Sequence, residues 1–195
     1  MNCKGLGSTP LARLAAMAAL LSVILPGFAA DLMNECKITD QDGDTKALLQ
    51  GSVDWVASRI GEMYGAGAEL KTGMDSFIEV FFDPHNSFRL KSETRLRVEK
   101  IAEAEKDPAG KVVRVVELNL IEGEVGVRLD LLPKDRRLRV TSPTAVAGAS
   151  GTGFWMRFSP AKALAHIKVV SSAVTVTALD KANKFVVVNP FQQVT

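Results

Sequence analysis

Leu70–Ile101 reads LKTGMDSFIEVFFDPHNSFRLKSETRLRVEKI, and this stretch decides the fold. Ser76 to Phe82 (SFIEVFF) is a short run rich in β-branched and aromatic residues. Asp83-Pro84-His85-Asn86 follows as a turn, Ser87 to Lys91 (SFRLK) is a second run, and Ser92-Glu93 breaks it. Thr94 to Ile101 (TRLRVEKI) is a third. Three such runs closed by turn residues predict strands rather than helices.

The same grammar continues in both directions. Ala47 to Arg59 contains Val53 and Trp55 alternating with Asp54, which predicts one or two strands with a break at Gly51. Tyr64 to Gly73 reads as loop, short strand and turn, with Gly65 and Gly67 free to take positive φ. Ala102 to Lys111 (AEAEKDPAGK) is charged and loses the alternation, so it predicts a surface excursion ended by Pro108 and Gly110. Val112 to Leu120 resumes as a strand, Glu122-Gly123 predicts a turn, and Glu124 to Leu132 a further strand. In that last run Val125, Val127, Leu129 and Leu131 share one face, with Glu124, Arg128 and Asp130 on the other, the pattern of a half-buried strand. Leu138–Thr141, Phe154–Phe158, His166–Val170, Ala173–Leu179, Lys184–Val188 and Gln192–Thr195 complete the set. The prediction is one all-β domain of many short strands, a rolled, solenoid-like or sandwich-like sheet stack, following an N-terminal signal helix.

Residues 1–30 read as an export signal. Lys4 and Arg13 precede the apolar run Leu14 to Leu25, which is twelve residues long. A bilayer span needs roughly 20. Pro26-Gly27 ends the run, and small residues place cleavage after Ala29 or Ala30. Leu32 to Glu35 before Cys36 lack the small residues of a lipoprotein signal. Residues 31–46 then read as a polar, solvated lead-in. Asp40, Asp42 and Asp44 alternate like the first ligands of a calcium loop, but Thr45 and Gly51 stand where that loop needs glycine and glutamate.

Charge narrows the function classes. The 195-residue chain has 24 Lys and Arg against 22 Asp and Glu; without Lys4 and Arg13 the counts are 22 and 22. A balanced chain is not a general nucleic-acid or anionic-membrane binder. Cys36 is the one cysteine outside residues 1–30, so no internal disulfide is predicted, and its remaining chemistry would be an intermolecular disulfide.

Candidate chemistry is sparse. Gly148 to Gly153 (GASGTG) invites a phosphate-loop reading, but the loop chemistry needs a following helix and a lysine, and a strand follows instead. His85 and His166 have no ligand-spaced partners, and no nucleophile-elbow phrase is present. Neither catalytic nor metal residues are assigned, and no cofactor is expected. Trp55, Phe81, Phe82, Phe154, Trp155 and Phe158 read first as core; any of these rings facing outward would make a platform for sugar or peptide.

Several phrases in one order resemble the FecR-domain family. They are Gly51-Ser52-Val53; Gly67, Leu70, Thr72-Gly73 and Asp75-Ser76; Ser87 with Leu90; Ser92 with Leu96; and Leu120, Gly123 and Val125 to Val127. The most distinctive is Val140-Thr141-Ser142-Pro143 followed by Ala145, Gly148, Gly151-Thr152 and Phe154, with Val174, Val176 and Asn189-Pro190 to Val194 closing the series. Residues 47–195 would form the FecR-like domain. His85-Asn86-Ser87, Ser150 and Ser172-Ala173 depart from the family at turns. The family's best-known members are membrane regulators of iron-uptake transcription, with a cytoplasmic sigma-binding segment, one span and a periplasmic domain. Here only thirteen residues precede the apolar run, so the sigma-binding role is not carried over. The resemblance implies a periplasmic or secreted, non-enzymatic module that binds an envelope protein or a polysaccharide, with no nucleic-acid partner. The alternative is a membrane-anchored relay whose signal segment stays uncleaved and is its sole membrane contact.

Overall fold

The computed structural model describes residues 34–130, 132–149, 151, 153–179 and 184–195. The export signal with its cleavage point, and the readings at Leu131, Ser150 and Thr152, lie outside the described residues.

The described chain is all-β, as the alternation predicts. Its strands are β1 (Glu35–Asp42), β2 (Thr45–Leu48), β3 (Val56–Ala57), β4 (Met63–Gly65), β5 (Glu69–Thr72), β6 (Phe77–Asp83), β7 (Asn86–Leu90) and β8 (Arg95–Lys106). They continue with β9 (Val112–Leu129), β10 (Arg136–Thr141), β11 (Ala145–Ala149), β12 (Phe154–Ser159), β13 (Leu164–Val169), β14 (Val174–Ala178), β15 (Phe185–Val188) and β16 (Gln193–Val194). A 3-10 turn, Pro160–Lys162, joins β12 to β13.

Two sheets share one long strand. Sheet 1 runs β4-β1-β6-β7-β9-β12-β13-β16, and sheet 2 runs β3-β2-β5-β8-β9-β10-β11-β14-β15. Every pair is antiparallel except β9 with β10. The inner faces of both sheets meet in one hydrophobic cluster, with Ile38, Ile78 and Phe88 from sheet 1 and Leu70, Leu96 and Leu138 from sheet 2. Hairpins alternate between the layers, so the chain rolls around its own core.

The corner of the roll is Gly123. Residues 112–122 of β9 pair with β8 and β10 in sheet 2, and Gly123 to Leu129 pair with β7 and β12 in sheet 1. Gly123 has φ +91, and a Cβ there would lie 2.4 Å from Thr94 Oγ1 and 2.6 Å from the Glu93 carbonyl oxygen. Only glycine meets both demands. Buried Thr94 holds the corner: its hydroxyl accepts from the Glu124 N–H at 2.9 Å, and its own N–H donates to Thr72 Oγ1 at 2.9 Å. The turn predicted at Glu122-Gly123 is therefore corrected. The direction changes, but ladder pairing runs through it.

The connection after β9 returns beside the start of that strand, where the Arg114 N–H donates to the Asp135 carbonyl at 2.6 Å. A buried lock closes the two sheets there. Asp83 at the end of β6 receives Arg136 Nη1 of β10 at 3.0 Å and Asn86 Nδ2 at 2.7 Å.

Three other sequence readings are corrected. Residues 34–46 are not a solvated lead-in, because β1 buries Cys36 and Ile38 completely between exposed charges and pairs with β4 and β6. Two inward apolar residues among acids are too few to register as alternation. Second, Ala102 to Lys106 is not a surface loop. A register shift between Lys100 and Glu103, with Ala102 at φ +54, breaks the period of two while β8 continues to Lys106. Third, Val53 lies outside the strands and is 87% exposed. Alternation from Val125 to Leu129 stands, with Val125, Val127 and Leu129 buried and Arg128 exposed.

Candidate functional site

The outer face of sheet 1 carries an organised polar array centred on Glu124. Register places Arg89, Gly126, Trp155 and Lys168 in one cross-strand row and Lys91, Glu124, Arg157 and His166 around the next. The strand Phe154–Ser159 explains half of this. Phe154, Met156 and Phe158 go inward, so Trp155 and Arg157 must face out.

Trp155 lies flat against Gly126. A Cβ at position 126 would sit 2.3 Å from the indole Cζ3, so the absent side chain is what seats the ring. Lys91 Nζ stands 4.1 Å from the ring centroid, a cation–π contact. The same ammonium donates to Glu124 Oε1 at 2.5 Å, while Arg157 donates to Oε2 through Nη2 at 2.5 Å and Nε at 2.7 Å. The Glu124 side chain is 13% exposed. Burial pushes its carboxyl upward, but the bonds to Lys91 and Arg157 outweigh that and hold it below the usual carboxylate range. Glu124 therefore remains ionised and fixes both cations. Further along, Arg89 Cζ lies 3.8 Å from the Phe77 ring centroid, and His166 Nδ1 is 2.8 Å from Thr195 Oγ1.

Beside this array is an open groove of about 680 Å³, lined by Trp155, Arg157, Lys162, His166 and Lys168 with Lys91 and Glu124. The outer face of sheet 2 is different. There Lys100 and Arg139 are matched by Glu105 and Glu117, a balanced network.

The residues singled out from sequence are dispersed. Phe82, Phe154 and Phe158 are core, Phe81 is half-buried, and Trp55 packs under Arg95 at 5.4 Å. Trp155 is the outward ring of the sugar-or-peptide reading. Gly148 ends within β11, and the Gly153 N–H donates to Ser171 Oγ at 3.0 Å. His85 sits on the β6–β7 turn, its N–H on Asp83 Oδ1 at 2.8 Å, far in sequence from His166 in the groove. Asp44 pairs with Lys46 at 3.3 Å. Among the described residues no three His, Cys, Asp or Glu side chains are placed to hold a metal. Cys36 does not precede the fold but lies inside it, its thiol donating to the Tyr64 carbonyl at 3.2 Å. An intermolecular disulfide there would require β1 to open. The grouping of Lys91, Glu124 and Arg157 escaped the sequence because the three lie on separate segments, with Glu124 and Arg157 33 residues apart. The readable signal was the shared parity of Trp155 and Arg157.

An open all-β module of two sheets joined through one strand is the class this geometry defines. A family model described as FecR protein matches residues 68–175, more than half of the chain, and the chain belongs to the FecR family. Two crystal structures of a candidate anti-sigma factor from Parabacteroides distasonis, at 1.65 Å and 2.50 Å, are similar in fold. Their TM-scores are 0.50 and 0.48, and each is 17% identical over 64% of this chain and 52% of the other. The chain thus spans about half the length of those proteins. No curated protein matches it. Among the described residues no helix is long and apolar enough to cross a membrane.

Proposed function

We propose that this chain is an exported, non-enzymatic binding module of the bacterial envelope that holds its partner on the outer face of sheet 1. The observation that carries the reading is the Glu124-centred array beside the groove, where Lys91, just past β7, and Arg157 on β12 are both tied to one carboxylate beside the Trp155 indole. Prearranged side chains bind with little ordering cost. Membership of the FecR family supports a regulatory or binding role over a chemical one.

The test has two parts. N-terminal sequencing of the protein from the producing cell should give Ala30 or Asp31. Intact Met1 in the membrane fraction would instead favour the anchored relay. Crosslinking in intact cells should capture an envelope component through a photoreactive residue placed at His166, and Arg157→Glu should abolish the capture. Unchanged capture would move the contact elsewhere, with the edge strand β15, where Phe185 is 71% exposed, next to be probed.

A further inference from the structure

The groove is charged out of proportion to the rest of the molecule. Lys91, Arg157, Lys162 and Lys168 line it against one carboxylate, Glu124, in a chain whose total formal charge is only +2. Glu124 is already engaged by Lys91 and Arg157. Among the described residues Lys162 and Lys168 have no acidic partner. A cleft lined by one sign of charge concentrates counter-ions of the other.

The backbone decides what kind of anion fits. β12 is paired on both sides by β9 and β13, while β13 pairs with β12 along its length and with β16 only at Ile167 and Lys168. A peptide held by strand addition needs main-chain bonds at an open edge, and β12, the central strand of the groove, offers none. The cations also line a concavity rather than crown a protrusion, which suits a chain lying in the groove better than a flat lipid surface. Ser159 and His166 add hydroxyl and imidazole groups to the same lining as the Trp155 ring, the mix that sugar hydroxyls and ring C–H faces require.

We infer that the groove along β12 and β13 binds an extended acidic glycan, its anionic groups paired with Lys162, Lys168 and Arg157. The inference rests on the binding-module reading and gives its ligand class. Uronate carboxylates and backbone phosphodiesters supply the same charge, so both are tested.

The full chain is titrated calorimetrically at low ionic strength with alginate, a phosphodiester-linked mannan, neutral dextran and poly-L-glutamate. Binding of alginate or of the phosphomannan, weakened by added salt, is expected, and the tighter of the two identifies the anion. Dextran and polyglutamate should bind at least about tenfold more weakly. The double variant K162Q/K168Q should lose at least about tenfold in affinity with an unchanged melting temperature. Equal binding of polyglutamate, no binding of either acidic polymer, or undiminished affinity in K162Q/K168Q overturns the inference. Capture at His166 that persists without glycan affinity would leave the module reading standing and remove this one. Glycan affinity without capture would leave the groove's ligand class standing and remove the envelope partner proposed in cells.

Discussion

The indole of Trp155 rests on the bare backbone of Gly126, across the β9–β12 ladder, where even a methyl group would fall 2.3 Å from Cζ3. Gly126→Ala should therefore lift the ring off the sheet and separate it from Lys91. In a Trp55→Phe background the emission of Trp155 should shift to the red. Overpacking of this kind costs about 1–3 kcal/mol. An unshifted spectrum would show that the indole does not depend on the glycine.

Gly123→Ala attacks the corner of the roll. The backbone there is left-handed and already in contact with Thr94, so strain and overlap combine. The loss should be about 2–3 kcal/mol in a urea melt. Gly110→Ala is the control: φ is also positive at +78, but nothing lies within 4 Å, and the cost should be smaller.

Asp83→Ala removes the centre of the lock between the sheets and leaves Arg136, whose side chain is 12% exposed, without its carboxylate. A buried partner stripped from its ion pair costs about 3–5 kcal/mol. The replacement Asp83→Asn, which keeps the shape and one acceptor, should cost less. Equal losses would mean that charge, not shape, closes this end.

Acid should weaken the fold through Glu69. Its side chain is 2% exposed and receives Arg95 Nε at 2.7 Å and Arg97 Nε at 2.9 Å. Burial raises its pKa, but the two guanidinium groups prevail and the net shift is downward. A carboxyl with a depressed folded-state pKa adds stability above its unfolded value, about 4.3. That contribution is lost as pH falls through the lower folded value. Glu69→Gln should be less stable than wild type at pH 7, by about 1–3 kcal/mol for lost charge-assisted bonds. The gap between the two proteins should close on acidification below about pH 4. A gap independent of pH would refute the assignment.

Cys36 should be silent in the native protein. Burial pushes its thiol up to about 12, and the side chain is fully enclosed. Thiol reagents at pH 8 should label it only after denaturant is added, and no disulfide-linked dimer should form in oxidising buffer. Rapid native labelling would show that β1 detaches from the sheet.

Period two was legible wherever a strand is half-buried and uninterrupted. β6, β7, β12 and the second half of β9 emerge from sequence nearly as they stand, because each puts apolar residues at alternate positions. β1 was lost because Cys36 and Ile38 are its only fully buried apolar residues. The end of β8 was lost because the shift near Ala102 inverts the parity of Glu103 to Lys106. Trp155 could be placed on a face but not given neighbours.

The chain order by itself determined that the molecule is all-β, which side chains of its uninterrupted half-buried strands turn inward, and which family it belongs with. These properties come from local alternation and from turn residues, both matters of near neighbours. Tertiary structure alone decided that β9 serves two sheets, that Asp83 meets Arg136, and that Lys91 and Arg157 converge on Glu124. Those contacts join residues 33 to 53 positions apart, and their pairing depends on strand order and register, which alternation does not encode.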